Sequence, residues 1–103
     1  MKRKDFIRAY KLKKEIMDLQ RVSEIGLPID NNKFKTLQAE YTKITDKFYT
    51  FAYTLPFEVY QILELRYICA WDYRMIKKYI VWCNVTTNPN KIVEDFFSKE
   101  HRE

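Results

Sequence analysis

Leu55-Pro56-Phe57-Glu58-Val59-Tyr60-Gln61-Ile62-Leu63-Glu64-Leu65-Arg66-Tyr67-Ile68-Cys69-Ala70-Trp71-Asp72-Tyr73-Arg74-Met75-Ile76 reads as two helices and the junction between them. Pro56 sits where a helix begins, because its missing N–H is one of the donors that a first turn leaves unpaired anyway. The spacing predicts a helix over 57–68, with Val59, Ile62, Leu63, Leu65 and Ile68 available for a core. Ala70-Trp71 is a short junction, and Asp72 is suited to accept the free N–H groups of a following turn. The next helix is expected from Tyr73 to Trp82, with Met75, Ile76, Tyr79 and Ile80 facing in. Asn84-Val85-Thr86-Thr87 reads as a turn. Asn88 then caps and Pro89 opens a last helix, which carries Ile92, Val93, Phe96 and Phe97 at helical spacing before a polar end, 98–103.

Upstream, the strongest break is Gly26-Leu27-Pro28-Ile29-Asp30-Asn31-Asn32. Glycine ends helices and proline forbids their continuation, and Asp30 or Asn31 can cap the next helix. A first helix is therefore expected over about 4–25, burying Phe6, Tyr10 and Met17, with Leu12, Ile16 and Leu19 as further candidates. A second is expected over about 32–53. Phe34, Leu37, Tyr41, Ile44, Phe48, Phe51 and Leu55 succeed one another at alternating steps of three and four, a heptad seam held for three repeats. A seam must face another helix. The first choice is helix 1, packed antiparallel across the short loop; the second is a copy of itself in a homodimer.

The chain has 103 residues, which allows a single domain. Apolar residues make up 47%, enough for a core, and no run approaches the 18 apolar residues a membrane span requires. A basic start with no apolar stretch after it is not a secretory signal, so a cytoplasmic protein of a bacterial host is expected. One glycine and three prolines leave few tight turns, which favours helices over strands. Cys69 and Cys83 lie among aromatics and read as reduced, buried residues. The richness in Lys, Ile, Tyr, Asn and Phe fits an AT-rich genome, such as that of a low-GC bacterium or its phage.

The net charge of +5 belongs entirely to the first segment. Residues 1–21 hold eight bases and three acids, whereas 22–103 hold eleven of each. Such a segment either attracts polyanions, nucleic acid above all, or solvates a helix face. Catalytic chemistry finds little support. His101, the one histidine, stands three residues from the end, where a base is poorly held. Two cysteines fourteen positions apart do not form a zinc spacing, and one glycine excludes the phosphate-binding loops. No enzyme activity, metal or cofactor is expected.

Leu63, Leu65, Arg66, Tyr67, Trp71, Asp72, Tyr73 and Ile76 match a run that resembles the start of sigma factor region 4 and the related ArpU/RinA-type phage transcription regulators. The resemblance covers residues 55–83. It implies a helix–turn–helix in which the Pro56-led helix supports the other two, helix 4 crosses the DNA backbone, and the following segment enters the major groove. Arg74, Lys77 and Lys78 then become phosphate contacts. Asn84, Thr86, Thr87, Asn88, Asn90 and Lys91 become groove readers. This chain differs from the family in carrying Lys77 where a small residue is usual and Val81-Trp82-Cys83 where glycine is usual. Its last helix also has more acids than bases.

The sequence thus points to an all-α domain of about five helices. An N-terminal hairpin (1–54) packs on a C-terminal helix–turn–helix-like unit (55–103). The leading expectation is a small DNA-binding transcription regulator of phage or mobile-element type, acting on double-stranded DNA. The alternative is a protein-binding modulator of RNA polymerase, a sigma-like regulator or another host protein, with Trp71, Trp82, Tyr73 and Tyr79 as aromatic anchors.

Overall fold

A computed structural model describes residues 1–80 and 88–99. The fold is all-α: α1 (Arg3–Glu24), α2 (Asn31–Ala52), α3 (Phe57–Leu63) running directly into a π-helical turn (Glu64–Ile68), α4 (Tyr73–Ile80) and α5 (Pro89–Lys99), with no strand among the described residues.

The α1–α2 break follows the chemistry of its residues. Gly26 adopts φ 88°. Its N–H bonds to the Ser23 carbonyl and the Leu27 N–H to that of Val22, so two of the last carbonyls of α1 are satisfied. Asp30, not Asn31, caps α2, its Oδ1 accepting from the amides of Asn32 and Lys33 at 3.0 and 3.1 Å. The two helices run antiparallel. Arg8 meets Glu40 through two bonds of 2.8 Å, Glu15 meets Lys33 at 3.4 Å, and Phe6 packs on Phe48.

The α2 seam thus packs against α1, the first choice. Leu37 joins Leu12 and Ile16 in a small cluster along the hairpin, and Phe48 joins the main core. Leu55 packs against that core from beyond the end of α2. Ala9 is also buried, a position too small to stand out in the sequence pattern. Met17 is a correction. It is 37% exposed while its neighbour Ile16 is buried, because one residue rotates the side chain by a full 100° around the helix.

Phe6 is the hub of the molecule. It is fully buried, and its ring meets those of Phe48 and Phe51 (α2), Tyr67 (π turn), and Phe96 and Phe97 (α5), with centroids 5.3–6.3 Å apart and edge-to-face geometry. One side chain of α1 therefore ties the hairpin to the C-terminal half.

The helix expected over 57–68 does not stay α. It widens at Glu64, and the Cys69 N–H reaches back to the Glu64 carbonyl while that of Trp71 reaches Leu65. The wider turn leaves the Ile68 carbonyl to the Tyr41 hydroxyl, which donates to it at 2.6 Å. Ala70 ends the turn with φ 58°, a left-handed conformation that costs an L-residue about 1–2 kcal/mol. Asp72 then caps α4, accepting from the Met75 amide at 2.8 Å, and Asn88 caps α5 by accepting from the Asn90 amide at 3.0 Å.

The α5 helix packs on α3 and α4, and α4 on the π turn, so the three close on one another. Ile76, Ile80, Val93, Phe96 and Phe97 are buried between them. Met75 (47% exposed) and Tyr79 (37%) do not face in as expected. An eight-residue helix resting on a single turn and one neighbour buries only a narrow stripe, and Ile76 and Ile80, four apart, fill it.

Candidate nucleic-acid interface

The α4 helix begins at its Asp72 cap, and the buried pair Ile76 and Ile80 fixes its rotation. Arg74, Lys77 and Lys78 are thereby left on the exposed side. The Asn88 cap and the buried Pro89 fix the first turn of α5 just as firmly, and leave Asn88 and Asn90 exposed. These two surfaces meet in one open cleft of about 570 Å³, lined by Tyr73, Arg74, Lys77, Lys78, Asn88 and Asn90. Five of the nine residues singled out in the sequence are thus brought together. Lys91 is exposed on α5 but lies off the cleft. Asn84, Thr86 and Thr87, with Trp82 and Cys83, fall outside the described residues.

Among the described residues, the cleft holds three cations and no carboxylate. None of Arg74, Lys77 and Lys78 takes part in an ion pair among the described residues. The two acids of α5 are turned elsewhere. Glu94 faces Arg3 of α1 at 3.9 Å, and Asp95 lines a separate apolar depression with Phe51 and Leu55. The amide and hydroxyl side chains in the cleft can both donate and accept, and the lysines and arginine can only donate. This donor-rich, concave, cationic surface suits an anionic ligand presenting several acceptor oxygens.

The wall of the cleft has a support that sequence reasoning missed. The Arg66 guanidinium is clamped between two rings, 4.8 Å from the Tyr10 centroid and 4.4 Å from that of Tyr73, and donates to the Trp71 carbonyl at 3.1 Å. Its Nε is buried without a hydrogen-bond partner. Tyr67, hydrogen-bonded to Tyr73 from the core side, has its phenol pushed well up, first by burial and then by the Tyr73 oxygen. Arg66 and Tyr73 belong to the matched run, but no spacing rule says that Tyr10, more than fifty residues away, completes the sandwich.

A second group of titratable residues gathers around Glu64 of the π turn. One Glu64 oxygen, Oε2, accepts from both Tyr49 (2.8 Å) and Tyr60 (3.1 Å), and burial followed by that bond raises both phenols. Burial and the Glu64 charge likewise push up the thiol of Cys69, which is free and half-buried. No group of three or more His, Cys, Asp or Glu among the described residues could hold a metal ion, and no described helix is long and apolar enough to cross a membrane.

No family model, curated protein or solved structure matches this chain.

Proposed function

We propose that the protein binds double-stranded DNA through the α4–α5 cleft and acts as a small transcription regulator of phage or mobile-element type. The observation that carries this reading is the convergence of Arg74, Lys77 and Lys78 of α4 with the amides of Asn88 and Asn90 in one cleft that has no acid among its described lining residues. In it the α4 cations contact phosphate oxygens and position the protein. The first turn of α5 approaches base edges, where an asparagine amide pairs bidentately with adenine. The π turn and α3 hold α4 and α5 at a fixed mutual angle, as a groove-entering pair requires.

The test is fluorescence anisotropy with a labelled AT-rich duplex at several salt concentrations. Three phosphate contacts alone contribute a slope of about −2.7 in log K against log salt, an affinity loss of roughly 40-fold between 50 and 200 mM. Replacing Lys77 and Lys78 together by Gln should flatten the slope by about 1.8. Binding whose slope is unmoved by that replacement would overturn the reading.

A protein-binding function is favoured by a different surface. Tyr53 (92% exposed) and Phe57 (68%) stand at the α2–α3 elbow and line a depression of about 390 Å³ together with Tyr49, Ala52, Leu55 and Tyr60. Large exposed aromatics lining a recess are what hot-spot anchors look like. Trp71 and Tyr73, expected to serve as such anchors, are half-buried instead, Trp71 edge-on to Tyr79 and Tyr73 against Arg66. Loss of DNA-independent partner capture on Phe57→Ser, with capture untouched by Lys77→Gln, would select this function.

A further inference from the structure

Five of the seven bases of α1 meet an acid or a ring within the fold, and Arg3 meets both, its guanidinium lying 5.0 Å from the Phe97 centroid. Arg8 is bound to Glu40, Arg21 to Asp18 at 4.0 Å, and Arg3 faces Glu94, so their charges are met by acids within the fold. Lys13 and Lys14 are met by rings. Lys14 Nζ stands 5.7 Å from the Tyr10 centroid, and Lys13 Nζ stands 5.5 Å from that of Tyr41. Both rings, one in α1 and one in α2, contact the π turn that precedes α4. Tyr10 is one face of the Arg66 sandwich whose other face, Tyr73, lines the cleft. Tyr41 donates its hydroxyl to Ile68, and the charge of Lys13 reaches the neighbouring Cys69 thiol. From Lys14 through Tyr10, Arg66 and Tyr73 to Arg74, each group is in ring contact with the next or adjacent in the chain. Of the acids at this junction, Asp72 is turned to the Met75 amide as the α4 cap, and Glu64 accepts from the Tyr49 and Tyr60 hydroxyls.

We infer that Lys13 and Lys14 of α1 continue the cationic track of the α4–α5 cleft and contact the phosphate backbone of the same DNA, outside the groove that the cleft enters. This rests on the reading of the cleft as a DNA site and adds a second, distant element to it. A ring attracts a lysine without neutralising it, so Lys13 and Lys14 keep a full charge to offer to a phosphate. Arg66, wedged between Tyr10 and Tyr73, holds the two parts of the track in fixed relation. The consequence is quantitative. Two further phosphate contacts steepen the salt slope from about −2.7 to about −4.5, and the affinity loss between 50 and 200 mM grows from roughly 40-fold to roughly 500-fold.

The experiment measures salt slopes with one labelled AT-rich duplex for the wild-type chain, Lys13→Gln/Lys14→Gln, Lys77→Gln/Lys78→Gln, and Lys35→Gln. Lys35 is exposed on the side of α2 opposite its seam, so it controls for net charge alone. A thermal melt confirms that each variant is folded, and Lys13→Arg/Lys14→Arg, which retains both charges, separates charge from packing. The inference expects the Lys13/Lys14 glutamine pair to flatten the slope by about 1.8, the arginine pair to restore it, and Lys35→Gln to leave the slope within a few tenths. If the Lys77/Lys78 pair flattens the slope and the Lys13/Lys14 pair does not, the cleft stands and the extended track is wrong. If Lys35→Gln flattens the slope as much per charge, the track is likewise wrong, because net charge explains the effect. A wild-type chain that does not bind DNA removes the reading of the cleft and the track together.

Discussion

Replacing Phe6 by Ala is the sharpest test of how the two halves of this chain are joined. The ring is fully buried and edge-on to five others from α2, the π turn and α5. Removing a buried phenylalanine ring costs about 3–5 kcal/mol through lost transfer energy and the cavity left behind. Aromatic pairs add about 0.5–1.5 kcal/mol beyond burial. The five rings share one cavity and their terms do not sum, so the upper part of the range, about 4–5 kcal/mol, is expected. A chain of 103 residues has about 5–15 kcal/mol of stability in all. At a urea m-value of about 1–2 kcal/mol per molar, the midpoint falls by roughly 2–5 M. Phe6→Leu, which refills most of the volume, should lose much less, about 1–1.5 kcal/mol. Unfolding is followed by far-UV circular dichroism for the helices and by tryptophan fluorescence for the C-terminal half. The two curves should coincide in the wild-type chain and remain coincident as both shift. A loss below about 1 kcal/mol, or a hairpin signal that survives while the fluorescence transition moves alone, would refute the account of Phe6 as the tie between the halves.

Asp30→Ala removes the acceptor for two amides of α2 and should cost about 1 kcal/mol by urea denaturation, whereas Asn31→Ala, which caps nothing, should be close to neutral. Tyr41→Phe deletes the 2.6 Å bond to the Ile68 carbonyl at the π turn and should lose about 1–2 kcal/mol, read as a lowered urea midpoint at constant m-value. The Arg8 bond holds the Glu40 carboxyl below its ordinary pKa, so its stabilisation is present above the usual carboxylate range and fades as pH falls through the lowered value. Because both side chains are more than a third exposed, Glu40→Gln should cost under about 1 kcal/mol at neutral pH, and the difference from wild type should vanish in acid melts. At the other end of the scale, burial raises the Tyr67 phenol, so the stability it supports is complete below the ordinary phenol pKa and drains away above it; Tyr67→Phe should blunt the alkaline fall in melting temperature.

Helix number, order and most boundaries were legible in the sequence because their causes are local. Gly26, Asp30, Pro56, Asp72, Asn88 and Pro89 act through their own backbone geometry and side-chain acceptors, and each marks the helix end that its chemistry implies. The α2 seam was legible because three repeats of one spacing leave little choice of face. The π turn was not. Nothing in Glu64-Leu65-Arg66-Tyr67-Ile68 departs from α-helical spacing, and the widening is stabilised by a partner twenty-seven residues away, the Tyr41 hydroxyl. Met17, Met75 and Tyr79 resemble core residues because they are large and apolar, yet each lies beside a better-placed isoleucine or on a helix with one buried stripe. Of the candidate site, the α4 cations and the first turn of α5 could be named only through the resemblance carried by residues 55–83. The Tyr10–Arg66–Tyr73 sandwich could not, since it joins α1 to the α4 junction through tertiary packing alone.

Mapping amide chemical shifts as an AT-rich duplex is added to isotopically labelled protein tests the central claim most directly. The account predicts saturable changes concentrated at Tyr73, Arg74, Lys77, Lys78, Asn88 and Asn90, with Lys13 and Lys14 of α1 responding at the same duplex concentrations. Changes centred on Tyr53 and Phe57, or a spectrum that duplex leaves unaltered at low salt, would contradict it.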